Sequence, residues 1–104
     1  EFLRCKGLVP LTRNYRSRQG EIDLIMQDKD TTVFIEVRAR VHNNFLHAIE
    51  TIDRRKQNHI IRTSQHYLQH VDKNRSRYYR FDVIALSGPL ENANIEWIKN
   101  AFDA

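Results

Sequence analysis

Asp23 and Glu36 stand thirteen residues apart, each inside a short run of apolar side chains, and Arg38 follows Glu36 after one intervening residue. Two carboxylates brought together can hold a hard divalent cation such as Mg2+ or Mn2+. Such an ion takes oxygen ligands and keeps places for water and a substrate phosphate. It can activate a water and stabilise charge developing on a phosphodiester under attack. A guanidinium alongside offers a planar pair of donors to that phosphate. The chemistry this spacing suggests is hydrolysis of a nucleic-acid backbone, with Asp23 and Glu36 as metal ligands and Arg38 stabilising the developing charge. Glu21, two residues before Asp23, is a further acidic candidate.

Whether these groups meet depends on two strands. In Glu21-Ile22-Asp23-Leu24-Ile25-Met26, strand alternation puts Ile22, Leu24 and Met26 on one face and Glu21, Asp23 and Ile25 on the other. In Val33-Phe34-Ile35-Glu36-Val37-Arg38 the apolar face is Val33, Ile35 and Val37, and the opposite face carries Phe34, Glu36 and Arg38. Asp28-Lys29-Asp30 between them is turn material. A two-residue loop at Lys29-Asp30 sets a register with Asp23 opposite Glu36 and Glu21 opposite Arg38. Directly opposed side chains on one face have Cβ atoms about 5 Å apart, and two carboxylates at that separation repel. A cation between them would offset the repulsion. The same face also reads as a solvated polar surface laced by ion pairs, and pattern alone leaves the two readings level. Phe34 and Ile25 on that face favour enclosure.

The remaining chain supplies the support. Glu1 to Gly7 reads as the last turns of a helix stopped by Gly7, whose start is expected before the sequence given. Leu8 to Tyr15 reads as a first strand, which Pro10 confines to an edge or a beginning. Residues 39–47 read as a loop. A long helix then runs from an N-cap at Thr51 to about His70, with Ile49, Ile52, Lys56, Ile60, Thr63, Tyr67 and Val71 as its inward stripe. Phe81 to Leu86 is an almost continuous apolar run, as a strand buried on both faces would be. Ser87-Gly88-Pro89 ends it, and a weaker strand at Ile95–Ile98 follows. The helix joining the strands at 31–38 and 81–86 is long enough for a crossover, which makes that pair parallel. The expected architecture is α/β, a mixed sheet flanked by helices in the order αβββαβ.

The 104 residues make one domain, with 40% apolar and 29% charged residues, in the range of globular proteins. No apolar run is long enough to span a bilayer, so no membrane role is expected, and no signal peptide opens the sequence. A single cysteine, Cys5, points to a reducing cytoplasm and is read as a packing residue. The formal net charge is +4, with a pI near 9.5, and arginine and lysine cluster at 13–18, 38–40, 54–56 and 73–80. Four basic clusters on so short a chain suggest a polyanionic partner, nucleic acid first.

The segments Arg13–Arg16, Gly20–Ile25, Val33–Arg40 and Arg80–Val83 together resemble the YraN-type family of uncharacterised bacterial proteins. That family is placed in the PD-(D/E)xK, restriction-endonuclease-like superfamily, near the archaeal Holliday-junction resolvases. The resemblance covers nearly the whole chain and implies an αβββαβ endonuclease-like core, DNA as partner, branched or structured, and a homodimer. It implies Asp23 and Glu36 as the metal carboxylates and Arg38 at the position of the superfamily's catalytic lysine. Glu21 and Lys56 also fall at positions that the family pattern features. The pattern has an early helical glutamate that Glu1 does not match. Arg38 is a second departure, because arginine can hold phosphate but cannot deprotonate to act as a base.

Arg16, Arg38, Arg40 and Lys56 are the expected nucleic-acid contacts. Lys56 has two readings: its stem packs while its amine stays wet, or the amine reaches the site as a phosphate contact. His59, His66 and His70 lie near one helix face and read as surface, with zinc ligation the weaker alternative. Asp82 beside Arg80 reads as a structural hydrogen bond or ion pair, and Trp97 as the anchor of the tail. Tyr15, Tyr78 and Tyr79 read first as core or rim and second as base-stacking groups. The functional expectation is a metal-dependent nuclease acting on DNA. The alternatives are a nucleic-acid-binding module that kept the fold without the chemistry, and an interaction domain for an acidic protein partner.

Overall fold

The computed structural model describes residues 2–39, 52–72, 78–88 and 94–104. A four-residue helix α1 (Phe2–Cys5) leads into β1 (Val9–Ser17), β2 (Gly20–Asp28) and β3 (Thr31–Ala39). Helix α2 (Arg54–His70) precedes β4 (Tyr78–Ser87) and β5 (Asn94–Phe102). The five strands form one sheet in the order β1-β2-β3-β4-β5, with β3 and β4 parallel and every other pair antiparallel. This is the mixed α/β sheet expected, an architecture consistent with a restriction-endonuclease-like core, and the weak segment at 95–98 has grown into a full edge strand. Pro10 does sit on an edge strand, beside an irregularity in its register with β2. Gly7 ends α1 with φ at +94°.

The central strands β3 and β4 are buried on both faces, which explains their apolar runs. On one face Ile22, Ile25, Phe34, Phe81 and Val83 pack with Ile52, Ile60 and Tyr67 from α2 and its approach. On the other, Leu3 and Leu8 pack with Met26, Val33, Ile35 and Ile84. Helix α2 lies mainly over β2. It comes so near the β1–β2 turn that a Cβ on Gly20 would stand 3.4 Å from His59 Cβ and Thr63 Oγ1; Gly20 also has φ at +147°.

Several local expectations are corrected. Asp53 caps α2, its Oδ1 accepting from the Lys56 N–H at 2.8 Å; Thr51, the cap expected, lies outside the described residues, as does Ile49. Val71, assigned to the inward stripe, is exposed, because α2 ends at His70 and the chain turns away. Cys5 is exposed rather than packed: only Leu3 of the short α1 is buried. Ile22 does not share a face with Leu24 and Met26. It belongs to the α2-side cluster with Ile25, so strand alternation switches at Asp23.

Asp82 is fully buried and holds the β4–β5 edge together. Its Oδ1 accepts from Arg80 Nε at 3.0 Å and from the Asn100 N–H at 2.9 Å, and its Oδ2 accepts from Trp97 Nε1 at 2.8 Å. The register of β4 and β5 shifts here, and Asn100 has φ at +56°, so the carboxylate satisfies a backbone donor that the irregular ladder leaves over. Arg80 also reaches Asp28 at 3.2 Å, tying β4 to the β2–β3 turn. The structural reading of Asp82 holds, and Trp97 anchors the tail through it.

Asp82→Ala leaves an indole N–H and a backbone N–H without their acceptor and Arg80 with Asp28 as its remaining carboxylate, and should cost about 3–5 kcal/mol. Trp97→Phe removes one hydrogen bond and should cost about 1 kcal/mol. Urea denaturation of both variants measures the difference, and equal costs would contradict the assignment of Asp82 as the shared acceptor.

Candidate active site

The register of the β2–β3 hairpin is the one the two-residue loop sets, from Asp28 opposite Thr31 through Leu24 opposite Ile35. There the ladder stops, one step short of Asp23 and Glu36. Side chains take over from backbone at this step. The Val37 N–H donates to Asp23 Oδ2 at 2.9 Å, and the Asp23 N–H donates to Glu36 Oε2 at 3.2 Å. Each strand inserts a carboxylate against the backbone of the other. The two acids are clasped reciprocally, rather than simply facing each other across a regular pair.

The neighbouring strand explains how the backbone accommodates this. On β1, Asn14 lies between Arg13, paired with Leu24, and Tyr15, paired with Ile22. Asn14 has φ at +50°, a left-handed conformation that asparagine tolerates better than most residues. The irregularities at Asn14 and Asp23 coincide. Together they send Ile22 and Tyr15 toward α2 while Leu24 stays on the opposite side.

Glu36 is only 3% exposed. Burial pushes its carboxyl above its ordinary pKa, and the charge of Asp23 pushes the same way; the Asp23 N–H, Lys56 and Arg38 work against both. Its Oε1 faces two cations, with Arg38 Nη2 at 3.7 Å and Lys56 Nζ at 3.8 Å. Both separations exceed hydrogen-bond length, so these are ion pairs across a gap. Arg38 Nε is buried and has no hydrogen-bond partner among the described residues. Lys56 arrives from the first turn of α2, its backbone fixed by the Asp53 cap and its side chain 38% exposed. Lys56 thus keeps a partly exposed amine that reaches the Glu36 carboxylate.

The structure brings Asp23, Glu36, Arg38 and Lys56 together. It does not bring Glu21 to Arg38, as the extended register required, because the β2–β3 ladder ends before that step. Glu21 instead pairs with the exposed Arg16 across β1–β2, at 3.4 Å. Arg40 lies outside the described residues, as do Lys73, Arg75 and Arg77. Tyr15 packs edge-on against Tyr67 and its hydroxyl meets His66 Nδ1, while the His66 and His70 rings lie 4.4 Å apart. Tyr15 is thus a rim residue. Tyr79 leans on Phe34 and Phe81, and Tyr78 is exposed.

Among the described residues no three His, Cys, Asp or Glu side chains converge, so nothing like a closed zinc site is present there. The donor set there includes two carboxylates, each accepting a backbone N–H through one oxygen. One or two carboxylates completed by water and substrate phosphate is the ligation that Mg2+ favours, and the set fits such an ion. Sequence reasoning found the pair and its register. It missed the backbone clasp, whose only trace in the sequence is an asparagine in the strand beside Asp23.

The family model described as the uncharacterised protein family UPF0102 matches residues 1–86. A UPF0102 protein of Nitrosomonas eutropha is 50% identical over 102 residues, covering 98% of this chain and 84% of the relative. One from Pseudomonas syringae pv. syringae is 43% identical over 105 residues, covering 100% and 85%. One from Stutzerimonas stutzeri is 41% identical over 104 residues, covering 100% and 87%. Among the described residues, no helix is long and apolar enough to cross a membrane.

The raised pKa of Glu36 gives a pH signature. The folded protein holds this proton more tightly than the unfolded chain, so ionising Glu36 costs stability as pH rises through and above its ordinary value of 4.5. Glu36→Gln should match the parent at acid pH and become progressively the more stable of the two toward neutrality, without added metal. Urea denaturation from acid to neutral pH tests this, and a variant that weakens relative to the parent as pH rises would contradict it.

Proposed function

The chain belongs to the uncharacterised protein family UPF0102, and from that premise we propose that it is a divalent-metal-dependent nuclease acting on DNA. The reading is carried by one observation: two carboxylates clasped at the end of a sheet ladder, with the free oxygen of the buried one turned toward two cations. A merely structural carboxylate in this same protein looks different, since Asp82 has both oxygens engaged at 3.2 Å or less. The family resemblance to restriction-endonuclease-like proteins, borne by Asp23, Glu36 and Arg38, supports the same reading.

Asp23 and Glu36 would hold a Mg2+ or Mn2+ ion through the oxygens not bound to backbone. The ion, when bound, supplies an activated water and counters charge on the phosphodiester. Val37 N–H and Asp23 N–H keep the two carboxylates at fixed orientation, so little has to reorganise when substrate arrives. Arg38 carries an unpartnered buried Nε, a donor suited to a phosphate oxygen, and its permanent charge stabilises the developing anion. Lys56 adds a second cation on the same side. Arg38 does not act as a base, so the proton of the attacking water leaves to solvent or to the phosphate itself.

Arg38 also favours a second reading. A guanidinium where the superfamily has lysine suits phosphate binding without cleavage, and the chain would then be a nucleic-acid-binding module indifferent to chelator.

Incubating the protein with branched, flapped and linear DNA in Mg2+ or Mn2+ separates the two. Cleavage is expected, with Asp23→Asn and Glu36→Gln each lowering the rate by about 100-fold or more. Salt-sensitive binding with no cleavage of any substrate, unchanged by either substitution, would establish the second reading instead.

A further inference from the structure

Two positive groups from different elements meet one buried anionic oxygen at nearly equal distances. Arg38 Nη2 of β3 stands 3.7 Å and Lys56 Nζ of α2 stands 3.8 Å from Glu36 Oε1. Neither makes a hydrogen bond to it at those lengths. A buried carboxylate is costly unless compensated; Oε2 has the Asp23 N–H at 3.2 Å, and at Oε1 the compensation is charge without a hydrogen bond. The arrangement differs from the Asp82 hub, where donors approach to 2.8–3.2 Å and the oxygens are saturated. Oε1 is also the Glu36 oxygen that accepts no backbone N–H, so an ion can take it without disturbing the clasp.

We propose that the Lys56 ammonium is a stand-in for the divalent ion: it neutralises Glu36 in the metal-free protein and is displaced from Oε1 when metal binds, which turns it outward toward the phosphate. Lys56 is built for the exchange. Its backbone is pinned by the Asp53 cap at 2.8 Å, while its 38% exposed side chain is free to swing on a flexible stem. Arg38, only 28% exposed, follows less readily and keeps its place beside Glu36. The exchange makes Lys56 a positioning residue that competes with metal and then assists substrate. This inference rests on the proposed metal site at Asp23 and Glu36 and adds to it the order of events there.

Titrating Mn2+ into the parent, Lys56→Met, Glu36→Gln and an exposed control, Arg54→Met, by calorimetry, with thermal unfolding recorded alongside, tests the exchange. Removing a competing unit charge near 4 Å from the ligand oxygen should tighten Mn2+ binding about tenfold in Lys56→Met. The control should change by less than about twofold at ordinary salt. Lys56→Met without metal should melt lower than the parent, and saturating Mn2+ should close that gap. Equal or weaker Mn2+ binding in Lys56→Met, with the parent still binding through Glu36, overturns the exchange and leaves the metal site standing. Absence of Mn2+ binding in every protein overturns both.

Discussion

A break in backbone pairing governs this molecule. Where β2 and β3 stop exchanging main-chain hydrogen bonds, Asp23 and Glu36 supply their own carboxylates as acceptors for the N–H groups left over. A buried amide must find a partner, and a buried carboxylate must find donors or opposite charge. The clasp answers part of both demands in one arrangement. It also sets the orientation of the two acids through main-chain atoms, the least mobile parts of the structure. The left-handed Asn14 and the switch of face between Ile22 and Leu24 fall at this same step.

Charge balance then ties the helix to the sheet. Glu36 is too buried to be stabilised by water, and Asp23 beside it worsens its position, so cations must come from elsewhere. Arg38 comes from two residues along the same strand and Lys56 from α2, across the sheet face. Asp82 shows how the protein treats a buried acid whose role is structural alone, with three donor groups, short bonds and no oxygen to spare. The contrast between a saturated and an unsaturated carboxylate, both buried in one small domain, is the physical basis for assigning chemistry to one and architecture to the other.

Much of this was legible in the sequence. The alternation in β2 and β3 and the Lys29-Asp30 turn pointed to the hairpin register, because the length of the turn sets which residues face each other. The break in the helical stripe at Lys56 marked the residue that reaches Glu36. What could not be read was anything that depends on a departure from regularity. The period-2 pattern carries Ile22 past Asp23 without a switch, and extends the ladder to Glu21 and Arg38 where backbone pairing has already ended. Asp53 and Thr51 offer the same capping chemistry two residues apart, and only the position of the first helical N–H groups chooses between them.

The most direct measurement is the anomalous scattering of a crystal soaked in Mn2+. The account predicts one strong peak in contact with a carboxylate oxygen of Asp23 and Oε1 of Glu36. Density for Mn2+ bound elsewhere on the protein, with none at these two carboxylates, would contradict it.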